Sequence, residues 1–177
     1  MENLDPLEQQ VDGQIIQERL LETLSTLRVA VEWIDSDGQI VSWSGNKLLG
    51  HAGQLSARLK HAGLVSGDRV ATLASASPEW LALDIALLIG GFISVPIHPD
   101  TMSATCLDIL REVNAKLVAV GDTHQAARIF TILSELETVP KVVGLQSMAI
   151  EGDSIECWSE DDSNELTESP TESMTVH

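Results

Sequence analysis

The chain has 177 residues, of which 44% are hydrophobic, enough to form one domain of ordinary size with its own core. A formal net charge of -17 excludes a protein that binds nucleic acid through a basic face, because phosphate contacts need clustered lysines and arginines. The same negative charge disfavours binding to an anionic membrane surface.

The N-terminus, MENLDPLEQQ, has neither the basic region nor the apolar region of a secretory signal. The longest apolar run, residues 81–97, contains Asp84 and two glycines, and it falls short of the roughly 20 residues needed to span a bilayer. Two cysteines, Cys106 and Cys157, are too few for a disulfide framework and match no zinc spacing. We therefore expect a cytoplasmic protein with two reduced thiols and no transmembrane segment.

Residues 1–27 predict a polar lead followed by an amphipathic helix. The apolar stripe of this helix consists of Ile15, Ile16, Leu20, Leu21, Leu24 and Leu27. Residues 28–33 and 39–43 have the composition of two short strands, and the dipeptide Asp37-Gly38 between them is typical of a hairpin turn. The sequence therefore predicts a helix and a β-hairpin ahead of the main domain.

An amphipathic helix is predicted over residues 48–62, with Gly63 as its C-cap. Its apolar side is formed by Leu48, Leu49, Ala52, Leu55 and Leu59. Residues 69–74 then form a strand candidate. The start of the next helix is well defined by the sequence, because Ser77 can cap it and the φ angle of Pro78 already suits the first turn.

Residues 80–89 are apolar nearly all round, and Glu79 before them favours the positive end of a helix. Gly90-Gly91 ends this helix, and residues 92–97 are expected to form a short buried strand. A helix between two strands makes a βαβ unit, which implies a parallel sheet with helices on its faces.

The later part of the chain continues this alternation. Helices are predicted over residues 103–114 and 124–136, and strands over residues 116–120 and 141–145. The core candidates on these two helices are Leu107, Leu110, Val113, Ala127, Phe130, Ile132 and Leu133. The pattern from residue 48 onward is typical of an α/β fold with a doubly wound, mostly parallel sheet and helices on both faces.

The composition changes near residue 150. Residues 151–177 contain nine acidic residues and no lysine or arginine, which predicts an acidic, disordered linker or tail. The side chains suited to docking in this segment are Ile155, Trp158 and Leu166. We therefore divide the chain into a lead and helix (1–27), an α/β subdomain (28–150) and a tail (151–177).

The order of GDRV, PEW, an apolar helix, GG and SVPI resembles the N-terminal part of adenylate-forming (AMP-binding) enzymes, above all the long-chain fatty-acyl-CoA synthetases. The resemblance covers residues 41–145 and includes NAKLVAV and ETVPKVVGL, which are similar to later strands of the family, whereas SWSGNKLL matches its first core motif weakly. The matching positions are Asp68, Arg69, Pro78, Glu79, Trp80, Gly90, Gly91, Pro96 and Pro99. They belong to the scaffold, since glycines allow close packing and prolines fix turns.

The resemblance implies that the whole enzyme adenylates a long-chain fatty acid with ATP and magnesium and then forms a thioester with coenzyme A. In the family, the phosphate loop and the other ATP-binding and catalytic segments come after the region matched here. The resemblance therefore assigns no catalytic, cofactor-binding or metal-binding residue to this chain, and no cofactor to the chain alone. It implies a truncated, inactive N-terminal portion whose partner is the remainder of the synthetase. The complete enzyme would be cytoplasmic or membrane-peripheral.

One position departs from the family pattern. The long-chain enzymes tend to have a tyrosine between the two prolines, and this chain has His98 between Pro96 and Pro99. If that side chain borders the acyl pocket, histidine makes the pocket more polar. The alternative is a half-exposed residue at the end of a strand.

Other polar residues give no clear site. The five histidines, at positions 51, 61, 98, 124 and 177, show no metal-binding spacing, and Ser75, Ser77 and Ser94 lack the context of a hydrolase nucleophile. Asp84 is the most unusual polar residue because it interrupts an apolar helix, and we expect it on an exposed stripe or beside an arginine. The tryptophans, expected in the core or in a lid, are Trp33, Trp43, Trp80 and Trp158.

Two alternatives remain beside the synthetase hypothesis. The chain could be a non-catalytic partner that completes or regulates another chain, through an exposed sheet edge and the acidic tail. It could instead be an unrelated flavodoxin-like domain that binds a small molecule at the carboxyl ends of its strands. Fold alone does not decide between them.

Overall fold

The computed structural model describes residues 17–35, 37–148 and 155–158. The predictions for the polar lead and for Ile15, Ile16, Leu166 and His177 lie outside the described residues, as does most of the predicted acidic tail. Within the described ranges, no helix is long and apolar enough to cross a membrane.

The described elements alternate between helix and strand after an N-terminal helix and hairpin. Helix α1 includes residues 17–26, and the hairpin strands are β1 (Val31–Ile34) and β2 (Ile40–Trp43). The remaining elements are α2 (Gly45–His61), β3 (Arg69–Leu73), α3 (Pro78–Gly90), β4 (Ile93–Ile97), α4 (Ser103–Val113), β5 (Leu117–Val120), α5 (Thr123–Leu133), β6 (Lys141–Gly144) and β7 (Glu156–Cys157). Their order confirms the predicted α/β alternation.

The main sheet has five strands in the order β4-β3-β5-β6-β7, and all neighbouring pairs are parallel. From β3 the chain crosses outward to β4, returns across β3 to β5 and continues to β6 and β7. Helices α2 and α3 pack together on one face, and α4 and α5 pack on the other. The doubly wound sheet with helices on both faces is therefore confirmed.

Each face of the sheet supports its own hydrophobic core, because successive strand residues point to opposite faces. The core beneath α2 and α3 includes Val70, Leu117, Ala119 and Val143 of the strands. The core beneath α4 and α5 includes Ala71, Leu73, Val118 and Val120. Strand β5 lies in the middle of the sheet and is buried on both faces, which explains why its sequence is a continuous apolar run.

The hairpin is confirmed as an antiparallel pair, although β1 begins at Val31 rather than at residue 28. Leu27 was predicted on the apolar stripe of α1, but it lies beyond the helix and is exposed. The end of α1 instead contacts the start of α2 closely, since a Cβ built on Gly45 would lie 1.6 Å from the carbonyl oxygen of Leu24. Only glycine fits this contact.

The helix ends follow the local sequence. Helix α2 begins at Gly45, earlier than predicted, because Ser44 Oγ accepts a hydrogen bond from Lys47 N at 3.2 Å. Its C-cap is Ala62, and Gly63 follows with a φ of 89°. The predicted start of α3 is confirmed, since Ser77 Oγ accepts a hydrogen bond from Trp80 N at 3.1 Å.

Two packing predictions were wrong. Strand β4 is not buried: it lies at the edge of the sheet, and Ile93 at its start is 44% exposed. On α5, Ala127 was predicted in the core but is exposed, whereas Ala126 and Ile129 are buried. The side of the helix that faces the sheet is therefore shifted by one residue from the predicted side.

The sheet extends past the domain boundary that we drew at residue 150. Strand β7 pairs with β6 in parallel, and Trp158 N donates a hydrogen bond to the carbonyl oxygen of Gly144 at 2.7 Å. Trp158 docks as expected and is only 1% exposed. The segment 155–158 therefore belongs to the folded domain and not to a tail.

Candidate functional site

A cavity of about 720 Å³ opens at the carboxyl ends of β3, β4 and β5. Its walls come from residues 74–76 after β3, residues 96–100 at the end of β4, and the start of α5, with Trp80 of α3 beside them. This is the position at which doubly wound sheets bind ligands, because adjacent connections leave the sheet toward opposite faces. The location predicted from the fold pattern therefore contains a cavity.

The loops after β3 and β5 meet closely at the base of this cavity. A Cβ built on Gly121 would lie 2.9 Å from Ala74 Cβ. Asp122 Oδ1 caps α5 by accepting a hydrogen bond from Gln125 N at 2.7 Å, and Gln125 Oε1 accepts one from Gly121 N at 2.9 Å. Gln125 is only 3% exposed, so these reciprocal bonds fix the start of α5 against the strand end.

The loop after β4 forms the outer wall. His98 lies on this loop with its side chain 74% exposed, and His98 Nδ1 accepts a hydrogen bond from Asp100 N at 3.2 Å. Arg128 of α5 donates a hydrogen bond to the carbonyl oxygen of Pro99. This bond ties the His98 loop to α5, so the outer wall has a defined position relative to the base.

Several polar side chains line the cavity. They are the hydroxyl of Ser75, the imidazoles of His98 and His124, the carboxylates of Asp100 and Asp122, and the amide of Gln125. Trp80 supplies an apolar wall. Among the residues that the structure describes, no group of three or more His, Cys, Asp or Glu side chains is placed to hold a metal ion.

The structure brings His98 and His124 together at this cavity, whereas His51 is buried against Trp43, with the ring centroids 5.3 Å apart. Sequence reasoning missed His124, Asp122 and Gln125 as cavity residues. A usable signal was present, because these residues directly follow a buried strand of a predicted parallel sheet.

Most of the scaffold positions lie outside the cavity. Asp68 Oδ2 accepts a hydrogen bond from Val65 N at 2.8 Å, which fixes the turn before β3, and Arg69 is exposed. Glu79 Oε2 accepts a hydrogen bond from Gln146 Nε2 at 3.4 Å. These contacts are structural and bring no reactive group to the cavity.

The glycine pair lies at the opposite end of α3 from Glu79. A Cβ built on Gly90 would meet the Phe92 ring at 2.3 Å, and Gly91 adopts a φ of 72° as the C-cap. Asp84 lies on the same helix, exposed as expected, and accepts a hydrogen bond from Ser94 Oγ at 3.1 Å rather than contacting an arginine.

The two cysteines are free thiols. Burial raises the pKa of the Cys106 thiol, an effect that the nearby Arg128 guanidinium partly offsets. A thiol with a raised pKa is poorly ionised at neutral pH, so Cys106 is not an activated nucleophile.

The AMP-binding enzyme family matches residues 25–175 of the chain. The mitochondrial acyl-coenzyme A synthetase ACSM4 of Mus musculus is 31% identical over 110 residues, covering 60% of this chain and 18% of that protein. The human mitochondrial acyl-coenzyme A synthetase ACSM2B is 28% identical over 111 residues, covering 62% of this chain and 18% of that protein. The chain thus spans about a fifth of the length of these relatives.

Solved structures share the fold. The acyl-CoA synthetase of Brucella canis superposes with a TM-score of 0.61 at 25% identity, covering 73% of this chain and 22% of that one. An anthranilate CoA ligase in complex with anthranoyl-AMP gives a TM-score of 0.62 at 23% identity, covering 75% of this chain and 24% of that one.

Proposed function

The chain belongs to the AMP-binding enzyme family, and we propose that it forms the N-terminal part of an acyl-CoA synthetase acting on long-chain fatty acids. The complete enzyme adenylates the acyl group with ATP and magnesium and then transfers it to coenzyme A. The observation that carries this proposal is the family match over residues 25–175, together with the acyl-CoA synthetase relatives. The motif order of residues 67–100, which resembles the long-chain enzymes, supports the choice of acyl group.

Within that enzyme, this part supplies a rigid sheet and one wall of the substrate site. His98 and Trp80 line the same cavity. Trp80 offers apolar surface to an acyl chain, and His98 makes the wall more polar than a tyrosine would. The remainder of the synthetase supplies the groups that bind ATP, magnesium and coenzyme A, and the complete enzyme is cytoplasmic or membrane-peripheral.

The first test is ATP–pyrophosphate exchange with palmitate by the purified 177-residue chain. We expect no turnover above the enzyme-free rate, because the resemblance to the family assigns no ATP-binding or catalytic residue to this part of the enzyme. Measurable exchange by the chain alone would show that the adenylation site is already complete within it.

The second test concerns acyl selectivity and uses the complete synthetase. His98→Tyr should raise the ratio of kcat/KM for palmitate to that for octanoate, because a tyrosine makes the cavity wall less polar than the histidine does. The matched control is His61→Tyr, an exposed position at the end of α2 away from the cavity. An unchanged ratio in the His98 variant would remove His98 from the acyl pocket.

A non-catalytic partner or regulatory module is the second candidate. It is favoured by the exposed edge strand β4, which leaves a surface for another chain. Size-exclusion chromatography separates the two proposals. A clean monomer or a defined dimer favours an independent module, and aggregation favours a part of a larger enzyme.

A further inference from the structure

The side-chain amide of Gln125 uses one of its two ends within the fold. The backbone N–H of Gly121 can only donate, so the amide atom 2.9 Å from it is the acceptor Oε1, and Nε2 points the other way. Within the part of the chain that the structure describes, no atom accepts a hydrogen bond from Nε2. Gln125 is only 3% exposed and lines the cavity at the carboxyl ends of the strands. A nearly buried amide therefore offers its two N–H bonds to an occupant of the cavity.

The surrounding structure holds this amide in place. Gln125 N donates to Asp122 Oδ1 at 2.7 Å, and a Cβ built on Gly121 would lie 2.9 Å from both Ala74 Cβ and Gln125 Oε1. Turning the amide round would set Nε2 against Gly121 N, two donors facing each other. Because a buried donor without a partner is unfavourable, the fixed Nε2 favours a ligand that brings an acceptor atom to it.

The charges around the cavity decide which kind of acceptor fits. The carboxylates of Asp100 and Asp122 line the same cavity as Gln125, and no lysine or arginine is among its described lining residues. The arginine of α5, Arg128, donates to the carbonyl oxygen of Pro99 instead. A ligand carboxylate or phosphate beside Gln125 would be repelled by the two aspartates. The acceptor is therefore a neutral oxygen.

Among neutral oxygens, a hydroxyl suits the cavity better than a carbonyl. A hydroxyl accepts from an amide and also donates its own proton, whereas a carbonyl only accepts. The aspartates and the Ser75 hydroxyl supply acceptors for that proton on the cavity wall. Trp80 supplies the apolar part of the wall. The lining thus suits an apolar chain that carries a hydroxyl group.

We propose that Gln125 determines specificity for a hydroxyl group on the acyl chain of the substrate, at a position away from the reacting carboxylate. That the ligand is an acyl chain rests on the function proposed above. Nε2 donates to the hydroxyl oxygen, and the hydroxyl proton is directed to an acidic oxygen of the cavity wall. A plain hydrocarbon chain covers Nε2 without replacing the hydrogen bond that water gives it, so it binds more weakly.

The test titrates the isotope-labelled 177-residue chain with 8-hydroxyoctanoate, octanoate and octanedioate and follows binding by NMR. The three probes share one carboxylate and one chain length, so they differ only at the far end. We expect 8-hydroxyoctanoate to bind about tenfold more tightly than octanoate and to shift the side-chain amide signals of Gln125. Octanedioate should bind more weakly than octanoate. Equal affinities for the first two probes, or no shift of the Gln125 signals up to the solubility limit, would overturn the proposal.

A variant then assigns the preference to Nε2. Gln125→Glu keeps an oxygen for Gly121 N but replaces the donor by an acceptor, so the tenfold preference should disappear while octanoate binding changes less than about twofold. Gln54→Glu makes the same change at an exposed position of α2 that does not line the cavity, and it should keep the preference. A preference retained by Gln125→Glu would remove Gln125 from the site.

The comparison of probes on the unaltered chain stands even where Gln125→Glu does not fold. Binding is measured without ATP, so its outcome does not depend on whether the complete enzyme adenylates its substrate. Pyrophosphate exchange by the complete synthetase with palmitate and 16-hydroxypalmitate reports on the reaction itself. Exchange with neither acid would contradict the proposed reaction, whereas exchange that does not favour the hydroxy acid would contradict the role of Gln125.

Discussion

Lys141 Nζ and Glu156 Oε2 lie 2.7 Å apart and join the start of β6 to β7. Glu156 Oε1 also accepts a hydrogen bond from Trp158 Nε1 at 2.8 Å. The hydrogen bond from Lys141 first, and that from Trp158 second, hold the pKa of Glu156 below its ordinary value. One carboxylate therefore ties the last strand of the sheet to a surface lysine and a buried tryptophan.

This contact predicts a pH-dependent stability. Since the folded state lowers the pKa of Glu156, its stabilisation is fully present above the ordinary glutamate pKa and is lost as the pH falls below that value and through the lowered pKa of the folded state. Glu156→Gln should cost about 0.5–1 kcal/mol at neutral pH, because the pair is partly exposed. Urea unfolding at neutral pH and at about pH 3.5 measures this difference, which should shrink at the lower pH.

The control for this prediction is the exposed pair of Asp108 and Arg111, 3.4 Å apart on α4. Asp108→Asn should change stability by less than about 0.5 kcal/mol. A Glu156→Gln effect of the same size at both pH values would contradict the assigned role of the carboxylate.

Trp158 anchors the end of the described chain. Its side chain is almost fully buried in the core beneath α2 and α3, so Trp158→Ala should cost about 3–5 kcal/mol. Trp158→Phe should retain most of that stability while losing the bond to Glu156. Denaturant unfolding of both variants measures these changes in the free energy of unfolding. Near-wild-type stability of the alanine variant would show that residues 155–158 are not integral to the fold.

Gly91 should resist substitution for a backbone reason. Its φ of 72° is unfavourable for other residues, and an added Cβ would lie 2.6 Å from Ser66 Oγ. We expect Gly91→Ala to destabilise the protein by about 1–2 kcal/mol in thermal or chemical unfolding. Gly53→Ala is the matched control: it lies within α2 with nothing within 4 Å of an added Cβ, and should stabilise by about 0.5–1 kcal/mol.

The two thiols should differ in reactivity. Cys106 is buried with a raised pKa, whereas Cys157 is partly exposed on β7. Titration of the native protein with a chromogenic disulfide should therefore release one equivalent quickly and a second only after denaturation. Cys106→Ser should leave the fast phase in place, and Cys157→Ser should remove it. A fast phase that disappears in the Cys106 variant would contradict the packing of α4.

Local sequence signals were sufficient for much of the fold. The cap at Ser77 and the left-handed residue at Gly91 depend on the residues next to them, so both ends of α3 were predictable. The exposure of Ile93 was missed, although the sequence contains a signal for it: Pro96 within β4 has no N–H to donate, and a proline inside a strand indicates an edge position.

The residues of the candidate site also include some that were predicted from the sequence and some that were missed. His98 was singled out because of its place between two prolines, whereas His124 and Gln125 were missed although they directly follow a buried strand of the predicted parallel sheet. They join the cavity because β5 returns to the side of β3 opposite β4, which brings the start of α5 beside the β3 loop. A local pattern cannot state which strands become neighbours.

The contact of Gly45 with the carbonyl oxygen of Leu24 has a consequence for variant libraries. No side chain, not even a methyl group, can be accommodated at position 45 while α1 keeps its place on α2. In a saturation library, this position should therefore tolerate no substitution, although the residue does not line the candidate site. If substitutions at position 45 are not tolerated, α1 must remain packed against α2 in the functional protein. If they are tolerated, α1 can detach from the domain without loss of function.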